Sequence, residues 1–237
     1  MVSAVYPLIT ASIAGIFAVI VFSRYLQSKR RHNLLWALGL FGITAAALCQ
    51  LTAELSGSWP EGVYRLYYFL VGSQVAALGA GTVYLMKQQR AANTLLYVVV
   101  AMVALQAVVC AVAPVDTAHL AAADVSSGVK AASLPMRILT GVLNILGAGA
   151  MLVGAVVSYL ATRRPHNLFI LGGTIVFSVG GTIAGLFPNA DESTVALYIG
   201  NMVGIMLLFL GFWLGRPAQS TAAVTVAAAA WVGGRDR

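Results

Sequence analysis

The chain has 237 residues, of which 60% are hydrophobic and only 9% are charged. Because a soluble domain carries about 25% charged residues, this composition argues against the ordinary soluble classes and indicates a membrane protein. The net charge of +7 would suggest nucleic-acid binding in a soluble chain, but here the basic residues lie beside apolar runs, where they orient a protein in the bilayer, so no nucleic-acid partner is expected.

Seven apolar runs follow one another, each close to the roughly 20 residues that a helix needs to cross the hydrocarbon core. Since backbone groups in lipid must pair within their own segment, each run is predicted to be a helix. The predicted spans are 5–23, 34–55, 64–86, 93–113, 135–161, 167–187 and 194–215. We interpret the first as an uncleaved span, because basic residues follow it instead of preceding it. The Ala-rich residues 216–237 are predicted to be a mobile cytoplasmic tail.

A basic loop between two apolar runs occurs twice. Tyr25–Gly39 aligns without gaps on Tyr159–Gly173, 134 residues later, and seven of the fifteen positions are identical. The third helix of each half aligns more weakly, through Tyr64 with Tyr198 and Gly81 with Gly215. An offset of four helices makes the two halves parallel. The sequence therefore predicts an all-α, polytopic 3+1+3 fold within residues 1–215, with halves at 5–86 and 135–215 and a connector helix at 93–113.

Charge predicts the orientation of these helices. Eleven of the fourteen Lys and Arg residues fall at one end of the predicted bundle, after spans 1, 3, 5 and 7. Six of the seven acidic residues fall at the other end, with Asp236 the exception. Because cytoplasmic loops are enriched in Lys and Arg, the N-terminus is predicted outside and the C-terminus inside a bacterial inner membrane.

Polar side chains are concentrated in the outer half of the predicted spans. Such groups are costly in lipid and tend to face the protein interior or a wet cavity. If they converge, they form an outward-facing ligand pocket, with Glu54 and Arg65 paired at its rim. The alternative is that they are ordinary hydrogen bonds between helices. The candidate binding residues are Gln50, Glu54, Arg65, Tyr68, Gln74, Gln106, Asn144 and Asn201.

Catalytic and cofactor sites are disfavoured by the residues available. No His or Cys spacing matches a metal site, and the sequence predicts neither a metal nor a cofactor. The two cysteines, Cys49 and Cys110, lie in apolar runs and are predicted to be packed thiols. All three lysines lie in loops, which excludes a retinal Schiff base. His32 and His166 occupy equivalent loop positions, either as a sensing or docking pair or as headgroup-level residues beside Asn N-caps at 33 and 167.

The string Tyr64–Tyr68, followed by Gly79–Leu85, resembles a family of uncharacterised bacterial seven-helix membrane proteins. The basic loop, the early Trp36 and the polar third span are also similar to the seven-helix sensor region that precedes some histidine kinases. The resemblance implies a sensor-like protein. Without a signalling domain after the last span, such a sensor is expected to act through a membrane or cytoplasmic partner protein.

The sequence therefore favours a non-enzymatic membrane protein, a sensor-like or accessory subunit that binds a small or lipid-like ligand from outside. We expect Arg65→Ala and Asn201→Leu to remove ligand binding and to leave the fold intact. The alternative is a small-solute transporter with parallel repeats, in which Thr44 and Ser178 could line a path. All seven prolines lie at span ends or in loops and none breaks a span, which weakens this alternative, because broken helices often mark transporter sites.

Overall fold

The computed structural model describes residues 4–86, 89–121, 130–186 and 191–215, with backbone alone for 181–186 and 191–195. The predicted tail, 216–237, and residue 187, the last of predicted span 6, lie outside the described residues. Seven long helices coincide closely with the seven predicted spans. They are α1 (Val5–Ser28), α2 (Arg31–Ser56), α3 (Glu61–Leu85), α4 (Gln89–Val112), α5 (Leu134–Thr162), α6 (His166–Leu186) and α7 (Asp191–Leu214).

The helices have the length and composition of membrane spans. Among the described residues, six of them are long and apolar enough to cross a bilayer, and α6 contributes a shorter apolar stretch, His166–Gly180. Large apolar side chains are exposed all around the bundle, for example Tyr97 at 74% and Val108 at 59% on α4. Such a surface is stable only in a lipid environment. The prediction of an all-helical, membrane-embedded protein is confirmed.

Six of the helices form a closed ring. Each neighbouring pair is in contact in the order α1, α2, α3, α5, α6, α7, and α7 returns to α1. The fourth helix lies outside this ring and packs against α3 and α5. Its position explains its exposure, because two neighbours cover only one side of it. Both cysteines, Cys49 on α2 and Cys110 on α4, are free and buried, as predicted.

Two loops of the bundle have the same backbone geometry. The helix α1 ends at Lys29 in a left-handed conformation (φ 52°), and α5 ends at Arg163 in the same conformation (φ 55°). In each loop the N–H of that residue donates to a tyrosine carbonyl four residues earlier, at 2.7 Å. We call the end of the bundle that carries these two loops the basic end, and the end that carries the α2–α3 connection the opposite end.

The asparagines of these loops do not cap the helices, so that prediction is wrong. Asn33 lies inside the first turn of α2, and its Nδ2 donates to Ser28 Oγ at 2.9 Å. Asn167 repeats this contact, with Nδ2 donating to Thr162 Oγ1 at 3.0 Å. In each case the asparagine ties the start of one helix back to the end of the preceding helix. The loop is therefore closed by a side-chain bridge instead of a cap.

We expect Lys29→Gly to stabilise the folded protein by about 1 kcal/mol, because a left-handed residue with a Cβ costs roughly 1–2 kcal/mol and glycine does not. Part of the gain is offset by the lost contact of Lys29 Nζ with the Tyr25 ring, at 5.5 Å from the centroid. Thermal unfolding in one fixed detergent measures the change. Arg30→Gly is the control, since Arg30 has an ordinary extended conformation. An equal gain in Arg30→Gly would contradict the explanation.

Candidate functional site

The predicted residues of α2 form hydrogen bonds with two different helices. Gln50 is buried, and its Nε2 donates to the Tyr67 hydroxyl on α3 at 2.9 Å. Glu54 accepts a hydrogen bond from the Tyr198 hydroxyl on α7, at 2.6 Å from Oε1. Tyr198 also stacks on Tyr6 of α1, with 6.2 Å between ring centroids. Glu54 thus joins α2 to α7, two positions away in the ring, whereas Gln50 joins neighbouring helices.

Arg65 does not form the predicted pair with Glu54. Its Nη2 lies 2.8 Å from Glu61 Oε1, one turn earlier on α3. Its Nη1 donates to three backbone carbonyls at the end of α4, at 2.6 Å to Cys110, 3.2 Å to Ala111 and 3.0 Å to Ala113. The last carbonyls of a helix have no partners within the helix and attract a cation. Arg65 therefore caps α4, and the predicted pairing of Arg65 with Glu54 at the pocket rim is wrong.

Gln106 is the most buried of the predicted residues. Its side chain is 0% exposed on α4, and its Nε2 donates to the Tyr68 carbonyl at 3.1 Å and to Thr140 Oγ1 at 2.9 Å. The side chain fits because Gly72 leaves space for it on α3, where a Cβ would collide with the amide. Gln106 thereby joins α3, α4 and α5. Tyr68 takes part through its backbone, while its ring packs against Tyr64.

The remaining predicted residues, Gln74, Asn144 and Asn201, lie on three different helices, α3, α5 and α7. Gln74 Oε1 and Asn144 Oδ1 are buried and have no hydrogen-bond partner within the described part of the chain. Asn201 is half-buried on α7. The predicted residues that form hydrogen bonds are distributed over contacts of α2 with α3, α2 with α7, and α3 with α4 and α5. These contacts have the form of hydrogen bonds that hold helices together, which was the alternative interpretation.

The site that combines space with polar groups lies at the basic end. A cavity of about 320 Å³ opens there between α1, α2, α3, α6 and α7. This volume is at the lower end of the range for small-molecule sites, roughly 300–1,000 Å³. The polar or titratable lining residues are Arg24, His32, Asn33, Trp36 and His166. The apolar and glycine lining residues are Val21, Leu85, Ile170, Gly211, Phe212 and Gly215.

Repeated positions place the two histidines in this cavity. His32 is the second residue of α2, and His166 is the first residue of α6. Both directly follow the two loops of equal geometry. Glycines on the facing helices let these helix starts approach. A Cβ on Gly81 would lie 3.2 Å from the His32 carbonyl, and a Cβ on Gly211 would lie 2.9 Å from the His166 carbonyl. The starts of α2 and α6, which are not neighbours in the ring, both line the same cavity.

The cavity has a cationic lining. The Arg24 guanidinium lies over the Phe212 ring, 4.3 Å from its centroid, which connects α1 to α7 at the mouth of the cavity. None of the lining residues that the structure describes carries a carboxylate. The Trp36 indole is 7% exposed, and its Nε1 donates no hydrogen bond within the described residues. The cavity is therefore lined by one guanidinium, two imidazoles and an indole N–H that donates no hydrogen bond within the described part of the chain.

Comparison of the chain with protein-family models, curated proteins and solved structures gives no match. Sequence reasoning predicted a site at the opposite end of the bundle and interpreted the histidines as a sensing pair or as headgroup-level residues. The repeated Arg-x-His-Asn-Leu string was the signal that could have located the cavity, because it places two histidines at equivalent helix starts.

Proposed function

We propose that the chain is a non-enzymatic, seven-span protein of a bacterial inner membrane, with its basic end in the cytoplasm. In this proposal α1–α3 and α5–α7 are parallel halves, and α4 is the connector between them. The positive loops support the orientation. The equal geometry of the loops at Lys29 and Arg163 supports the internal repeat, as do the matching Asn33 and Asn167 bridges.

The proposed repeat has a different register from the one aligned by sequence. Gly81 faces the His32 carbonyl and Trp36 Cδ1, and Gly211 faces the His166 carbonyl and Ile170 Cγ1. His166 and Ile170 are the sequence equivalents of the two α2 residues, so Gly81 corresponds to Gly211 and not to Gly215. Tyr198 corresponds by the same shift to Tyr68 and not to Tyr64. The second half is one helical turn shorter at this point.

We further propose that the two halves bind a small solute between them and release it at either end, as a transporter does. The observation that carries this proposal is the contrast between the ends. At the basic end a cavity separates the halves, whereas at the opposite end Tyr198 closes them through Glu54 and Tyr6. Halfway between lies a small cavity of about 10 Å³, lined in part by Ser178 of α6 and Ile43 of α2.

The second candidate is a sensor-like or accessory subunit that binds a ligand without moving it. The packing of the ring centre favours this candidate. A continuous apolar cluster joins α1, α2, α3, α5 and α7 between the basic-end cavity and Tyr198. Its aromatic members are in contact, with Phe17 and Phe209 5.4 Å apart between ring centroids. A cluster that stays packed would leave the cavity as a one-sided site.

Cysteine labelling separates the two candidates without knowledge of the ligand. In a chain whose own cysteines, Cys49 and Cys110, are replaced by alanine, Ser178→Cys reports access to the ring centre. A membrane-impermeant thiol reagent is applied to sealed vesicles of each orientation. A transporter is expected to label from both sides. Tyr198→Phe should then raise labelling from the opposite end by about tenfold, since a hydrogen bond to a charged group is worth roughly 1.5–3 kcal/mol.

The matched control is Tyr67→Phe, which removes the Gln50 hydrogen bond inside one proposed half. It should leave labelling from the opposite end within about twofold, because it breaks no contact between the halves. Labelling from the basic end alone, unchanged by Tyr198→Phe, would reject transport and leave the binding-only subunit. A similar rise in both variants would show that general loosening, and not the Glu54 contact, controls access.

A further inference from the structure

We propose that the basic-end cavity binds an uncharged organic molecule, which presents a carbonyl oxygen to the Trp36 indole N–H and an apolar body to the cavity wall. This inference rests on the proposed function, because it names the chemical class of the solute that binds between the halves. It depends on three features of the lining: a buried donor, the contacts that the Arg24 guanidinium already makes, and the space left by the second half.

The first feature is the buried donor. Trp36 lines the cavity and is 7% exposed, and its Nε1 donates no hydrogen bond within the described residues. The indole is held from two sides. The Phe17 ring packs edge-on against it at 6.3 Å between centroids, and a Cβ on Gly81 would lie 2.5 Å from its Cδ1. A buried N–H without a partner is costly, and a tryptophan N–H can only donate, so the matching ligand group is an acceptor oxygen.

The second feature concerns the charge of the lining. Arg24 already has contacts within the chain, among them the Phe212 ring, 4.3 Å from the guanidinium to the ring centroid. Its charge is therefore used inside the protein in this proposal. His32 and His166 add imidazoles, which are uncharged above about pH 7.5. A carboxylate ligand would lose its hydration without gaining a cation of its own, whereas an uncharged carbonyl loses much less.

The third feature is the origin of the space, which follows from the proposed repeat. Trp36 and Leu85 line the cavity from the first half, and their equivalents in the proposed register are the smaller Ile170 and Gly215. The second half therefore leaves open what larger side chains occupy in the first. Gly215 also leaves room for the His166 imidazole, since a Cβ there would lie 3.0 Å from Cδ2. A volume of about 320 Å³ with an apolar wall and few polar groups suits a small ring system.

The experiment compares three probes with the same ring system. Acetylnaphthalene carries a carbonyl, ethylnaphthalene has no acceptor, and naphthoate carries a carboxylate, all at the same ring position. Binding to the full chain is measured by calorimetric titration in phosphatidylcholine nanodiscs at about pH 8, where imidazoles are uncharged, with empty nanodiscs as the blank. We expect acetylnaphthalene to bind about fivefold more tightly than ethylnaphthalene and than naphthoate, as one hydrogen bond predicts. The Trp36 indole proton should also move further downfield in magnetic resonance spectra with acetylnaphthalene than with ethylnaphthalene.

Trp36→Phe removes the N–H and keeps an aromatic ring. It should weaken acetylnaphthalene binding about fivefold and leave ethylnaphthalene binding within about twofold, whereas a purely structural loss would weaken both probes equally. Trp213→Phe is the matched control, because Trp213 is 48% exposed on α7 and does not line the cavity. It should change neither probe by more than about twofold.

Ile170→Trp tests the location, because it places the larger side chain of the first half into the space left by the second. It should weaken the binding of both acetylnaphthalene and ethylnaphthalene. Unchanged binding in this variant would locate the probes elsewhere and overturn the inference. Equal losses of the two probes in Trp36→Phe would overturn it too, as would naphthoate binding at least as tight as that of acetylnaphthalene.

The source of the carbonyl is distinguished by lipid chemistry. Nanodiscs of diether phosphatidylcholine lack the ester carbonyls of the ordinary diester lipid. Tighter acetylnaphthalene binding there would support the carbonyl site and assign it to a lipid ester, which competes in diester nanodiscs. Unchanged binding would support the site and assign it to a separate carbonyl compound.

The two proposals fail separately. Labelling of Ser178→Cys from both sides, with equal binding of acetylnaphthalene and ethylnaphthalene, rejects the carbonyl ligand and keeps transport. Labelling from one side only, together with acetylnaphthalene binding that depends on Trp36, rejects transport and keeps the binding site.

Discussion

Replacing Gly147 with alanine is expected to destabilise the bundle by about 2 kcal/mol. The α3 and α5 backbones touch at this point, and a Cβ on Gly147 would collide with the Val75 carbonyl group and the Ala76 nitrogen. A Cβ on the facing Gly79 would lie 2.5 Å from the Gly147 carbonyl oxygen. Backbone atoms cannot turn aside as a flexible side chain can, so the two helices must separate. Overpacking of this kind costs about 1–3 kcal/mol.

Gly149, two residues further along α5, is the matched control. A Cβ there meets nothing within 4 Å. Gly149→Ala is expected to be neutral or to stabilise by up to about 1 kcal/mol, which is the helix propensity gained by alanine over glycine. Unfolding of both variants in a graded series of mixed micelles measures the difference. A loss of stability in Gly149→Ala as large as that in Gly147→Ala would contradict close packing as the cause.

Arg65→Ala is expected to lower the free energy of unfolding by about 2–4 kcal/mol. The variant removes three hydrogen bonds from a cation to the carbonyls at the end of α4, together with the ion pair to Glu61. Each charged hydrogen bond contributes roughly 1.5–3 kcal/mol, and the total is discounted here because the Arg65 side chain is 23% exposed. The sequence-based expectation that this variant leaves the fold intact is therefore revised.

Two variants separate the cap from the ion pair. Glu61→Gln removes the carboxylate and keeps the carbonyl contacts, so it should cost less than about 1 kcal/mol, as exposed ion pairs do. Arg65→Lys keeps the charge but has no planar fork to reach several carbonyls at once. It should fall between the wild type and Arg65→Ala in chemical unfolding. If Glu61→Gln costs as much as Arg65→Ala, the ion pair and not the cap holds α4.

The spans could be predicted because their physical cause is local. A run of apolar residues without an internal proline has to be a helix in lipid, whatever surrounds it. The ends could be predicted almost as well, since Gly57 and the basic loops interrupt the apolar pattern. The placement of α4 outside the ring could not be predicted, because an apolar helix that faces lipid has the same composition as one that faces protein.

The candidate site was harder to predict because polar residues in a membrane have two uses that look alike in sequence. Gln50 and Gln106 were predicted to bind a ligand, and in the structure their amides donate hydrogen bonds to Tyr67 and Thr140. Arg65 was predicted to pair with Glu54 across the connection between the second and third spans, but a long side chain at a helix start can also reach a neighbouring helix end. The cavity at the basic end is lined by parts of α1, α2 and α6 that are far apart in the sequence. Their convergence depends on the tertiary fold, so no local sequence pattern indicates it.

The two helix contacts that join the proposed halves, α3 with α5 and α1 with α7, are packed differently, and we call them seams. This difference in packing determines how the ring could deform. At the α3–α5 seam, the backbones of Gly79 and Gly147 are in direct contact, and Gly154 receives the Thr82 methyl group. At the α1–α7 seam, aromatic rings such as those of Phe17 and Phe209 keep the helices apart. Rings can change rotamer, but touching backbones can only pivot. The bundle would therefore open by pivoting about the α3–α5 contact and separating at the α1–α7 contact. That opening would face the lipid and would let an amphiphile enter laterally from the bilayer.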